Sequence, residues 1–197
     1  IGAKATARFT EGGIVVEPSG EPSLEQVSDT FKVSDTSPVR EIVAAAQGLR
    51  LSYGATPVLD GLDLELRGGL LHAVTGPSGS GKTTLLHLLA GLELPDAGTI
   101  EVEGAELTRL DRTARAALRR EKIAYVGQQA GLVPHLSALE NVELALSVRG
   151  RADTHGPALA ALESVGLAER ATQRVARLSQ GERARVPIAR AVAARPA

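Results

Sequence analysis

The chain has 197 residues, 43 % hydrophobic and 23 % charged, the composition of a globular protein able to bury a core. At roughly 150 residues per domain, that length suits one domain with an appendage. A formal net charge of −1 and the absence of cysteine exclude a globally polyanion-seeking surface, disulfides and thiolate metal sites.

No apolar run approaches the roughly 20 residues of a membrane span, so any membrane link is expected through another segment or chain. No secretory leader pattern opens the sequence. It begins at Ile1 and holds no methionine, so it is expected to be a piece of a longer protein.

In chain order, residues 8–10 and 14–16 flank Glu11-Gly-Gly13 as a small hairpin would. Residues 19–38 are rich in Ser, Pro, Asp and Thr, and residues 1–40 are read as an upstream tail and linker. From residue 43 strand and helix patterns alternate. Residues 48–53 and 58–66 alternate apolar with polar, as half-buried antiparallel strands do. Residues 70–75 suit a strand covered on both faces. A helix over 81–90 follows, with Leu85, Leu86, Leu88 and Leu89 as a broad buried face. Short strands are expected at 98–103 and 123–127, then helices at 138–148, 157–165 and 179–194. Arg112, Arg115, Arg119, Arg120 and Lys122 crowd one helical region without interleaved aromatics, the mark of a solvated face. The whole predicts a mixed α/β domain.

Gly76-Pro-Ser-Gly-Ser-Gly-Lys-Thr-Thr84 fits G-x-x-x-x-G-K-[ST], between a predicted strand and a predicted helix. Gly79 and Gly81 let the backbone turn its N–H groups inward without Cβ clashes. Together with the positive end of the following helix, those groups make an anion seat. In such a loop Gly76, Pro77, Ser78, Gly79, Ser80, Gly81 and Thr84 wrap the phosphates. Lys82 reaches the β- and γ-phosphates, and the Thr83 hydroxyl meets Mg²⁺.

Two more stretches narrow the class. The first is Ile123-Ala-Tyr-Val-Gly-Gln-Gln-Ala-Gly-Leu-Val-Pro-His-Leu-Ser-Ala-Leu-Glu-Asn-Val142, and the second Leu178-Ser-Gln-Gly-Glu-Arg-Ala-Arg-Val-Pro-Ile-Ala-Arg-Ala191. With the phosphate loop, in that order, they resemble the nucleotide-binding domain of ABC transporters over residues 43–197. Leu107-Thr-Arg-Leu110 and Leu136-Ser-Ala-Leu-Glu-Asn-Val142 resemble most the lipoprotein-releasing, macrolide-exporting and cell-division branch.

The resemblance implies a P-loop ATPase fold with an antiparallel β subdomain and a helical insert at about 129–177. It implies ATP and Mg²⁺ as ligands, and Tyr53 as the aromatic stacked on adenine, a task that needs the ring and not the hydroxyl. Gln128 would touch Mg²⁺ and the attacking water, and an amide oxygen can coordinate and release without a charge penalty. Ser179 and Glu182 form a capping-box pattern at a helix start, where Ser179 and Gly181 offer a second anion seat. In the family that seat faces the γ-phosphate held by a second ATPase domain. A membrane permease, separate or fused, would be the other partner, at the cytoplasmic face of the membrane. No nucleic-acid partner is expected.

Departures accompany the match. Gln180 and Glu182 stand where the family has Gly and Gln, and Pro187 stands inside a helix where alanine is usual. The strand carrying the family's Mg²⁺ aspartate and catalytic glutamate would follow Ala197, so this chain alone is expected not to turn over ATP. The alternative reading is a soluble ABC ATPase acting on ribosomes or DNA. Residues between Lys82 and Ser179 show no sustained heptads, unlike the coiled-coil relatives.

Overall fold

Antiparallel pairing builds the first part of the chain, and helix packing the second. The structure, a computed structural model, describes residues 5–10, 13–18, 41–129 and 131–196. The linker expected at 19–38 lies outside them. The chain forms two compact units, Ile1–Arg115 and Ala116–Ala197.

In the first unit, β1 (Ala5–Thr10) and β2 (Gly13–Pro18) make the expected hairpin, with Thr10 opposite Gly13. A four-stranded antiparallel sheet follows, composed of β3 (Ile42–Tyr53), β4 (Thr56–Arg67), β5 (Ala97–Val102) and β6 (Ala105–Glu106), in the order β4-β3-β5-β6. Both long strands change parity midway. Ala46, Leu49 and Leu51 are buried on β3, and Leu59, Leu62 and Leu64 on β4, so strict alternation fails in each. The register slips between Ala46 and Leu49, where Gly48 has a φ of 58°. A bulge of this kind inserts one residue and swaps the face of everything beyond it. Asp63 secures it by accepting the Gly48 N–H at 2.6 Å through Oδ1.

Helix α1 (Lys82–Leu89) buries Leu85 and Leu88, which its period places on one face. Leu86, a further 100° around, is 45 % exposed, so the buried stripe is narrower than four leucines suggested.

Two sequence expectations fail here. Neither residues 70–75 nor 123–127 form a strand, and Leu71 is 91 % exposed. A strand borrows its hydrogen bonds from a neighbour. Neither stretch joins a sheet among the described residues, an isolated bridge at Thr75 being all that marks the first, so apolar composition alone does not make them strands.

Helix α2 (Arg112–Lys122) runs across the division between units; Asp111 Oδ1 accepts the Ala114 N–H at 2.7 Å, and no residue of the helix is buried. Arg112, Arg120 and Lys122 are exposed, as a solvated face requires, whereas Arg115 and Arg119 are half-buried and Arg115 donates to the Leu110 carbonyl at 2.8 Å.

The second unit packs α3 (Ala138–Val148), α4 (His155–Ser164) and α5 (Gln180–Ala194) around one apolar core. Leu146, Leu162, Leu167 and Val186 are at most 1 % exposed. Truncating one such leucine to alanine would cost about 2–5 kcal/mol. The polar side chain of Asn141 is buried beside them. It accepts the Val133 N–H at 2.8 Å and donates to the Ser137 and Val133 carbonyls at 2.9 and 3.1 Å. Satisfied in this way, it pins the 133–137 loop against α3 instead of destabilising the core. Among the described residues no helix is long and apolar enough to cross a membrane.

Candidate functional site

The phosphate loop owes its form to glycines in the left-handed backbone region. Gly79 and Gly81 have φ of 82° and 85°, the left-handed region. A Cβ on Gly81 would lie 2.9 Å from Val58 Cγ1 and 3.3 Å from the Val58 carbonyl oxygen. Gly81 is the N-cap of α1 and its carbonyl accepts the Leu85 N–H at 2.8 Å, so the loop ends where the helix dipole begins. The Lys82 ammonium folds back over the loop, donating to the Gly76 and Pro77 carbonyls at 2.8 and 2.6 Å and lying 3.4 Å from Ser80 Oγ. A cation is thus held beside a row of exposed backbone, residues 76–80, at a helix N-terminus. Thr83 is exposed and Thr84 half-buried on the first turn of α1. On its β4 side the loop borders a cavity of ≈ 270 Å³, lined also by Val58, Leu62 and Leu85.

Tyr53 ends β3 in the same unit, with the side of its ring open to solvent. Its hydroxyl, which stacking itself does not require, donates to the Glu93 carboxylate, with oxygens at 2.8 and 2.9 Å. That bond to an anion raises the phenol pKa. Sequence reasoning missed Glu93, which lies 40 positions away and belongs to no motif.

The remaining expected residues lie in the second unit. Gln128 and Gln129 are both exposed in a bend. Two arginines brace this segment. Arg149 donates to the Ile123 carbonyl at 2.9 Å, and Arg190 donates to the Gly131 carbonyl at 3.2 Å. Burial pushes the Arg149 guanidinium pKa down. Beside this segment runs a groove of ≈ 280 Å³ lined by Tyr125, Val126, Gln129, Arg149 and Pro187.

At the start of α5 the expected capping box is complete. Ser179 Oγ accepts the Glu182 N–H at 3.3 Å, and Glu182 Oε2 accepts the Ser179 N–H at 2.8 Å. Arg170 Nε donates to the other Glu182 oxygen at 3.1 Å. The Ser179 backbone and hydroxyl bonds, then Arg170, hold the Glu182 pKa below the usual carboxylate range. The Glu182 carboxylate is therefore turned back into the cap and paired. Gly181 is exposed, and a Cβ there would meet nothing within 4 Å. Packing within the chain gives no reason for a glycine at 181. A second capping box, Ser137 with Glu140, starts α3. Its S-x-x-E spacing stands in the sequence as Ser137-Ala-Leu-Glu140. Pro187 is buried within α5, which runs on through it.

Known proteins match this arrangement. The family model described as ABC transporter matches residues 59–197. The chain is 46 % identical to the lipoprotein-releasing system ATP-binding protein LolD of Hydrogenovibrio crunogenus, covering 80 % of this chain and 71 % of that protein. It is 42 % identical to LolD of Xanthomonas oryzae pv. oryzae, covering 78 % of this chain and 66 % of that protein. The chain thus spans about two thirds of the length of these relatives. Among solved structures, a dimeric post-hydrolysis state of the ATP-binding cassette MJ0796 bound to ADP and Pi superposes with a TM-score of 0.71 at 32 % identity. That match covers 78 % of this chain and 70 % of that one. A family model over most of the chain and relatives above 40 % identity agree, and the chain belongs to the ABC transporter family.

Proposed function

We propose that this chain binds ATP as the nucleotide-binding part of a transport system of the lipoprotein-releasing type, and that in the whole protein ATP binding and hydrolysis drive export. The observation that carries this reading is the Lys82 ammonium held over the 76–81 backbone at the N-terminus of α1. Lys82 supplies the positive charge for the β- and γ-phosphates, and the loop N–H groups supply uncharged donors that need no reorganisation. The Thr83 hydroxyl and the Gln128 amide oxygen are hard oxygen donors of the kind Mg²⁺ takes. When bound, that ion would neutralise charge between the terminal phosphates.

Residues 43–197 are assigned to the ATP-binding domain, with the helical insert at about 129–177 and residues 1–40 as a tail and linker. Tyr53 stacks on the adenine. Ser179 and Gly181, on a capped helix start with exposed backbone, serve the nucleotide of a second ATPase domain. The dimeric cassette structures support that pairing. The groove at Tyr125 and Val126, with Leu144 and Val148 exposed nearby on α3, suits a permease segment. The domain would then sit at the cytoplasmic face of a membrane, held there by that permease.

Equilibrium binding of ATP, with and without Mg²⁺, tests the reading against Lys82→Ala. A hydrogen bond to a charged group contributes about 1.5–3 kcal/mol, so affinity should fall roughly 10- to 100-fold. Equal affinities would overturn it.

A further inference from the structure

The residues after α1 hold the end of β3 at three points. Helix α1 stops at Gly91, whose φ is 61°, and its N–H bonds the Leu88 carbonyl at 2.9 Å. The chain then turns back toward β3. Asp96 N–H donates to the Arg50 carbonyl at 2.8 Å, and Asp96 Oδ2 accepts the Ser52 N–H at 2.8 Å. Glu93 takes the Tyr53 hydroxyl between its two carboxylate oxygens, at 2.8 and 2.9 Å. The β3 backbone at Arg50 and Ser52 and the ring tip of Tyr53 are thus held separately, by two acids three residues apart. Both acids belong to the segment that continues the helix carrying Lys82 and Thr83.

From this geometry we infer that Glu93 is a positioning residue for nucleotide binding, holding the Tyr53 ring at a set place relative to the phosphate loop. The inference rests on the ATP-binding reading above. An exposed tyrosine at a strand end would otherwise sample several χ1 and χ2 states, and binding would have to select one. A charge-assisted bond from phenol to carboxylate removes that search before the base arrives. Asp96 holds the β3 backbone at Arg50 and Ser52, just before the ring, and Glu93 holds the ring's orientation. A negative charge at the ring tip also raises the electron density of the face offered to a base.

The test is a double-variant cycle read with two ligands: ATP, which has a base, and inorganic tripolyphosphate, which has none. Glu93→Ala should weaken ATP about 3- to 10-fold, the size expected when one side chain is ordered only on binding. It should leave tripolyphosphate unchanged. Tyr53→Phe should match it, and adding Glu93→Ala to Tyr53→Phe should cost nothing more, because the bond is already gone. Glu93→Gln, which keeps an acceptor oxygen, should restore most of the loss. The tyrosine ultraviolet titration supplies an independent sign, moving to lower pH in Glu93→Ala. Lys82→Ala must weaken both ligands; if it weakens neither, the ATP-binding reading itself fails. If Lys82→Ala acts and Glu93→Ala leaves ATP affinity at the wild-type value, the positioning role is refuted. Equal losses for ATP and tripolyphosphate in Glu93→Ala would also refute it, since a general loosening of the unit would act on both.

Discussion

Replacing Gly81 by alanine tests how the loop is built, with Gly79→Ala as the internal comparison. Both positions hold a left-handed backbone, which costs a residue with a Cβ about 1–2 kcal/mol. Alanine returns about 0.4–1 kcal/mol by restricting the unfolded chain, so Gly79→Ala should lose only about 1 kcal/mol net. Around Gly79 there is nothing within 4 Å for the new methyl to meet. At Gly81 the methyl meets Val58 Cγ1 at 2.9 Å and the Val58 carbonyl at 3.3 Å, and neither a β-branched side chain nor a paired strand backbone yields easily. Overpacking of that kind adds about 1–3 kcal/mol, for a total of about 2–4 kcal/mol at Gly81. At roughly 2–4 °C per kcal/mol for a chain of this size, the thermal midpoint should fall by roughly 5–15 °C, against a few degrees for Gly79→Ala. Circular dichroism melts of the three proteins measure the difference. Coincident midpoints for the two variants would show that α1 slides away from β4 freely, and the packing argument would be wrong.

Other outcomes follow from single features. Gly181→Ala should raise the melting midpoint by the equivalent of about 0.5–1 kcal/mol, since glycine weakens a helix and nothing opposes a Cβ there; a lower midpoint would refute this. Pro187→Ala should also stabilise. Relief of the proline is worth up to about 3 kcal/mol, and the lost ring gives back about 0.8 kcal/mol per buried methylene. An unchanged or lower midpoint would mean that the buried ring is worth as much as the missing hydrogen bond. The Ser137 and Ser179 backbone N–H bonds lower the pKa values of Glu140 and Glu182 in the folded chain. Their contribution is therefore complete above the ordinary glutamate pKa and is lost as pH falls through the folded values. Urea midpoints should drop as pH falls below the ordinary value, and less steeply in Glu140→Gln/Glu182→Gln; equal slopes would exclude the caps as the source.

Much of the site was legible because its signals are local. The glycines at 79 and 81 and the lysine that follows them constrain a few consecutive bonds, and a capping box closes over three residues, as at Ser179 and Glu182. Apolar periodicity found α3, α4 and α5 for the same reason: a helix makes its hydrogen bonds within itself. The resemblance then identified a family that the structural matches support independently.

What the sequence determined by itself was the phosphate loop, the capped start of α5 and the helices α1, α3 and α4 between them. Tertiary structure decided whether residues 70–75 and 123–127 became strands, because a strand is completed only by a neighbour and the local pattern does not specify one. It decided which leucines of α1 were buried, and where β3 and β4 reversed their faces, near Gly48 and Gly61. It also brought the Glu93 carboxylate to the Tyr53 hydroxyl across 40 positions of chain. Contacts between distant residues leave no periodic trace along the sequence, and they exist only once the sheet and helix have set the ends of the chain side by side.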